Sequence, residues 1–91
     1  MAFNDVYQPC RAEKTFHCPC CGFKTLYGRG CLEICRVCFW EDDGQDDMDA
    51  DERYGGPNHI SLTEGRVNFI RYGVFELRHL SRVRKPLEDE I

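Results

Sequence analysis

Cys18-Pro19-Cys20-Cys21 and Cys35-Arg36-Val37-Cys38 are the residues of this chain whose types and spacing can do chemistry. Two residues between thiols let a tight turn aim both sulfurs at one ion. Two such turns supply four sulfurs, a complete tetrahedral shell. Thirteen residues separate the turns, which places them at the two ends of a hairpin. Four soft thiolates select zinc, or iron in a mononuclear centre, over magnesium or calcium. The ligand set read from the spacing is Cys18, Cys21, Cys35 and Cys38. Zinc is the expected ion and iron the alternative, because no partner redox centre is visible and closed four-thiolate sites are commonly structural zinc. Gly22, directly after the first pair, offers the backbone freedom that such turns often need.

Seven cysteines in 91 residues leave three thiols beyond this set. Cys20 lies between two ligands of one turn, where a single tetrahedral ion cannot use it together with both neighbours. It reads as a small side chain at a tight turn, with a reactive thiol of lowered pKa as the sharper alternative. Cys31 reads as a small apolar residue of a returning strand; a Cys20–Cys31 disulfide, or a second metal shared with His17, is the competing reading. Cys10 reads as an incidental thiol, and His59 and His79 as structural or surface histidines.

Compartment decides between disulfides and metal. Residues 1–10 (MAFNDVYQPC) carry no basic n-region and no apolar run, so no signal peptide is expected there. No stretch approaches the roughly 20 apolar residues of a membrane span. A cytoplasmic chain with reduced thiols is the expectation, and the odd count opposes a complete disulfide set.

These residues need elements to hold them. A chain of this length makes one domain, and a domain this small buries too little surface to do without a staple. Residues 16–40 form the metal knuckles. Between them, residues 23–27 (Phe-Lys-Thr-Leu-Tyr) have strand-like content, Gly28-Arg29-Gly30 turns the chain, and residues 31–34 return it. Phe39-Trp40 then packs over the metal site as the main core. Residues 41–53 are an acidic loop: residues 41–52 hold eight carboxylates and no Lys or Arg, against 12 basic and eight acidic residues elsewhere. Asp47, Asp49 and Asp51 alternate as calcium ligands would, but no glycine follows at the place an EF-hand loop requires. Ser61 and Glu64 form a capping box, and Gly73 stands where a C-cap is expected. The helix of residues 61–73 thus runs over 62–72, with Leu62, Phe69 and Ile70 on one side, Val67 at its margin, and Gly65 inside at a cost of roughly 1 kcal/mol against Ala. Residues 74–91 are a basic tail whose first part, 74–80, is a helical turn or a strand. The fold class is small α+β: a zinc-ribbon or rubredoxin-like knuckle hairpin, with a two- or three-stranded sheet and one packed helix.

The blocks HCPCCGFKTL (17–26), ICRVCFWEDDGQDD (34–47) and GGPNHISLTEGRVNF (55–69), with the late Val83-Arg84-Lys85-Pro86, resemble the bacterial cysteine-rich CPCC family. The resemblance implies a small single-domain metal-binding protein and brings no established activity. Some members of that family lie beside toxin genes, which makes an immunity role one version of the function. The leading expectation is a non-enzymatic zinc protein acting through protein contacts, with Asp42, Asp43, Asp46 and Asp47 meeting a partner with a basic surface, such as a toxin. A competing use of the loop is internal, clamped by Arg78, Arg82 and Arg84. A nucleic-acid-binding ribbon needs a basic stripe, which the acidic loop beside the knuckles opposes. A rubredoxin-like redox protein is the remaining alternative.

Overall fold

In a computed structural model of the chain, residues 14–53 and 55–91 are described; Cys10 lies outside them. The elements in chain order are a 3-10 turn at Asp47–Asp49, the helix α1 at Leu62–Tyr72, and 3-10 turns at Leu77–Arg82 and Glu88–Glu90. No helix among the described residues is long and apolar enough to cross a membrane.

Among the described residues the expected sheet is reduced to two isolated antiparallel bridges, Phe16 with Leu26 and Ile34 with Glu41. Residues 23–27 therefore do not pair with 31–34. Each strand-like piece instead closes across its own knuckle, one bridge per knuckle. The reason lies in where the backbone polar groups go. Glu33 Oε1 accepts from the N–H groups of Tyr27 (2.9 Å) and Gly28 (3.4 Å). The buried Asp42 carboxylate accepts from Gly30 N (2.8 Å) and Gly44 N (3.1 Å). The buried Asn58 pairs with Glu41 as a strand would, accepting from its N–H (2.9 Å) and donating to its carbonyl (2.7 Å). Side chains thus satisfy groups that a ladder would otherwise use.

Helix α1 begins and ends where the sequence places it. Ser61 Oγ accepts from Glu64 N (3.1 Å), Glu64 Oε1 accepts from Ser61 N (2.9 Å), and Gly73 ends the helix at φ 79 with its N–H on Phe69 O. The buried face differs from the expected one. Leu62 and Gly65 are buried and Phe69 packs half-buried against the core, while Ile70 is 84% exposed. Contact is centred on the stripe of residues 62, 65 and 69, and Ile70 stands about 100° further round the helix than Phe69.

Gly65 is the point of closest approach. A Cβ there would lie 3.2 Å from two atoms of the Trp40 ring and 3.3 Å from Cys20 Sγ. The glycine lets the helix settle on the buried indole, and Trp40 in turn meets Phe75 edge-on with ring centroids 5.6 Å apart. Gly65→Ala is expected to lower stability by about 1–3 kcal/mol through overpacking, even though alanine is the better helix former by about 1 kcal/mol. Urea unfolding of the metal-loaded protein measures the sign; a gain in stability would show that the contact yields.

The C-terminal segment returns to the knuckles. Arg84 N donates to Arg36 O (3.1 Å) and Lys24 N to Glu90 O (2.7 Å). The buried Glu90 carboxylate accepts from both Arg84 guanidinium nitrogens (2.7 and 3.0 Å), from Lys14 Nζ (2.7 Å) and from Leu87 N (2.8 Å). The Arg84 hydrogen bonds above all draw its pKa down to about 2. The clamp expected of the basic residues of 74–91 on the acidic loop is not formed. Arg84 pairs with Glu90, Arg78 with Glu76 (2.8 Å), and Arg82 lies 5.8 Å over the Phe39 ring.

Candidate metal centre

The two Cys-x-x-Cys turns share one backbone design. Cys18 N donates to Phe23 O (2.8 Å) and Gly22 N to Cys18 O (2.8 Å); Cys35 N donates to Trp40 O (2.9 Å) and Phe39 N to Cys35 O (2.8 Å). The knuckles therefore correspond in their hydrogen bonding, 18–23 to 35–40. In the fifth place Gly22 has φ 83 and Phe39 has φ 71, both left-handed. A phenylalanine in that conformation is strained. Its ring stacks on His79 at 4.6 Å, and His79 stacks in turn near Phe75 at 5.5 Å. Burial in this stack lowers the His79 pKa.

The same correspondence accounts for Cys20. It occupies the place of Val37, and both are core residues, 7% and 2% exposed. Cys20 is the apolar residue that each knuckle turns inward, with its sulfur toward Gly65 and Trp40. No disulfide joins Cys20 to Cys31, and Cys31 Sγ donates to Arg29 O at 3.3 Å. Cys31 is only half-buried and belongs to no strand, so the buried-strand reading does not hold for it. His17 is exposed, with Nδ1 3.0 Å from Gly22 O, and His59 is exposed as well. Cys20→Ala is expected to keep one metal ion per chain by elemental analysis, with a modest loss of stability of about 1 kcal/mol from the vacated volume. Loss of the ion in that variant would assign Cys20 to the ligand set.

Cys18, Cys21, Cys35 and Cys38 are brought together with all four sulfurs within 4.8 Å of one another. Cys18 and Cys38 sulfurs lie 3.6 Å apart and those of Cys21 and Cys35 3.7 Å. A tetrahedron with metal–sulfur bonds of about 2.3 Å has edges of about 3.8 Å, so the cluster has the size of a four-thiolate shell. A disulfide, at about 2.0 Å, is far shorter. Cys18, Cys35 and Cys38 are buried and Cys21 is half-buried. Two further groups point at the sulfurs: the buried Thr25 Oγ1 lies 2.9 Å from Cys35 Sγ, and Trp40 N donates to Cys38 Sγ at 3.5 Å. Neither was singled out for this in the sequence, although Trp40 follows its ligand by two residues and Thr25 lies in the segment between the knuckles.

The electrostatics point to a cation. The thiols of Cys18 and Cys21 are pushed up, the first by hydrogen bonding with Cys21 and Cys35; for the second, Cys18 favours ionisation, but Cys35 and Cys38 outweigh it. Cys38 is pushed up by burial and by Cys18. Cys35 alone is lowered, its thiolate accepting hydrogen bonds from Cys18, Cys21 and Cys38 as well as Thr25. Four sulfurs in this space cannot all ionise by themselves. A divalent ion held there would supply the positive charge that lets all four do so.

The sequence-predicted acidic residues are separated by the fold. Asp42 is fully buried, clasped by Arg29 Nε at 2.8 Å, and so is not a surface residue for a partner. Asp46 caps the 3-10 turn and pairs with Arg29 Nη1 (2.8 Å), which together with Arg66 lowers its pKa. Asp47 pairs with Arg66 (2.7 Å), whose Nε also donates to Pro19 O of the first knuckle (2.8 Å). Asp43 is half-exposed and accepts from Gln45 N (3.0 Å). The loop is thus tied to the knuckles by Arg29 and Arg66.

Neither a curated protein nor a solved structure matches the chain significantly. A family model described as "Cysteine-rich CPCC" matches residues 16–90, a span that holds both knuckles, the acidic segment, α1 and the returning tail. The chain belongs to the cysteine-rich CPCC family.

Proposed function

We propose that this protein is a non-enzymatic zinc protein of zinc-ribbon type, cytoplasmic, in which the ion is structural and the work is done by protein contacts. The observation that carries the reading is the closure of the sulfur cluster: four cysteines of the chain itself supply a complete shell, three of them buried, which leaves no place on the ion for a substrate. The ion's contribution is to cross-link two knuckles that, among the described residues, hold two bridging residue pairs.

The surface offered to a partner is the acidic turn. It is braced from within: Gln45, itself buried, donates to Asp49 O (2.8 Å), and Asp46 and Asp49 cap the turn reciprocally. Met48 stands fully exposed at its tip, with Asp43, Asp51 and Glu52 nearby in sequence. Such a surface suits a basic protein, drawn in faster at low salt; an inhibitor that covers a basic toxin is one form of the role. The test has two parts. Elemental analysis of the purified protein should return about one zinc per chain and a colourless solution, whereas a red ferric thiolate spectrum overturns the zinc reading. Association with a basic partner should slow with added salt and weaken when Asp43 and Asp47 are changed to Asn.

A further inference from the structure

A groove of about 460 Å³ opens between the C-terminal end of α1 and the chain that follows the Leu77–Arg82 turn. Phe69, Tyr72, Leu80, Val83 and Pro86 line it, together with Val37 of the second knuckle. Tyr72 and Leu80 are 43% and 49% exposed, so the apolar surface is open to a partner. Among the described residues no carboxylate lines the groove, and Arg84 and Lys85 are its charged side chains. Arg84 is engaged by Glu90. Lys85 has no carboxylate partner among the described residues, and neither have Arg71 and Arg82, the chain neighbours of Tyr72 and Val83. In a chain of net charge −4, this apolar surface carries Lys85 in its lining and has Arg71 and Arg82 as chain neighbours of its lining residues.

We infer that this groove docks an acidic amphipathic helix of a partner protein, seating large apolar side chains one turn apart on Phe69, Tyr72, Leu80 and Val83 while its Asp and Glu residues face Arg71, Arg82 and Lys85. A strand is the poorer occupant, because the extended wall has few backbone donors left. Arg84 N is spent on Arg36 O, Leu87 N on Glu90 Oε1, and Pro86 has none. Docking therefore rests on side chains, the mode of a helix in a groove. Nucleic acid is the poorer occupant as well, since its affinity comes from many phosphate contacts and only three uncompensated cations stand here. The inference uses residues distinct from the acidic turn, so either can fail without the other.

The test is a titration of the metal-loaded, ¹⁵N-labelled chain with a synthetic helical peptide carrying Leu and Phe four residues apart and Glu elsewhere. Amide shifts are expected at Phe69, Tyr72, Leu80, Val83 and Lys85. The double variant Arg82→Glu, Lys85→Glu should weaken binding about tenfold or more, and a peptide with Lys in place of Glu should give no shifts. Leu80→Asp should abolish binding with metal content and spectral dispersion retained, which separates lost docking from lost fold. Absence of shifts at millimolar peptide, shifts elsewhere, or equal binding of the Lys peptide overturns the inference. So does tighter binding of a short single-stranded DNA, or light scattering that shows a second copy of this chain in the groove.

Discussion

Replacing Cys35 by Ser is expected to unfold the domain, and so is removing the metal with a chelator. Structural zinc on four thiolates contributes an apparent ~10–16 kcal/mol in small domains at neutral pH. A domain of this length has a total stability of only about 5–14 kcal/mol. An ion bound at this cluster would therefore be worth about as much as the fold. Little in the chain replaces it: the knuckles are held by two bridges and by side-chain clasps, and Cys18, Cys35 and Cys38 sit inside the core with Trp40, Leu26 and Leu62. The four positions should differ. Cys35 is buried, with its sulfur 2.9 Å from Thr25 Oγ1, so in Cys35→Ser the shell is left incomplete at an enclosed place that solvent does not reach. Cys21 is half-buried, and in Cys21→Ser solvent can reach the vacated place on the ion. The expected order of damage is Cys35, Cys38 and Cys18 first, then Cys21. Far-UV circular dichroism and amide dispersion, before and after zinc is returned to the chelated protein, provide the readout. Wild type should recover and Cys35→Ser should not. A Cys35→Ser protein that stays folded without metal would remove the ion from the folding argument.

What could be read before folding was local. The Cys-x-x-Cys spacing, the capping box at Ser61 and Glu64, and the stop at Gly73 each depend on a few adjacent residues; the structure brings the four cysteines together and forms the cap and the stop as read. What could not be read depends on distant pairs. Periodicity grouped Ile70 with Leu62 and Phe69, but the helix packs by its glycine. That follows only from knowing that Trp40 lies opposite, 25 residues away along the chain. The sheet was overcalled because β-branched and aromatic content signals extended backbone without saying whether a ladder or a carboxylate will satisfy it. The alignment of CPCCGF on CRVCFW was visible throughout. It pairs Cys20 with Val37 and Gly22 with Phe39, which is enough to expect a buried Cys20 and a strained Phe39.

The acidic segment shows why charge counting misjudged its residues, and it yields the second large effect. A run of eight carboxylates reads as a solvated surface, yet its members divide by depth. Asp42 sits at the root of the loop and accepts from Arg29 Nε (2.8 Å), Gly30 N (2.8 Å) and Gly44 N (3.1 Å) with no exposed surface. It is flanked by the backbone pairs Leu32 N to Asp42 O and Asp42 N to Glu33 O, both 2.9 Å, that extend the second knuckle. Removing one partner of a buried ion pair costs about 3–5 kcal/mol. Arg29 remains partly exposed and can turn to water, which brings the expectation for Asp42→Ala to about 3 kcal/mol, with the N–H groups of Gly30 and Gly44 losing their acceptor besides. Asp43→Asn and Asp47→Asn should each cost under about 1 kcal/mol, since exposed or half-exposed carboxylates contribute little. Thermal unfolding of the three metal-loaded variants distinguishes an internal clasp from a purely external surface. A large loss confined to Asp42→Ala supports the division by depth. Equal small losses in all three would show that Arg29 does not secure the loop to the knuckle, and equal large losses would make the whole segment structural and leave the acidic turn without a docking role.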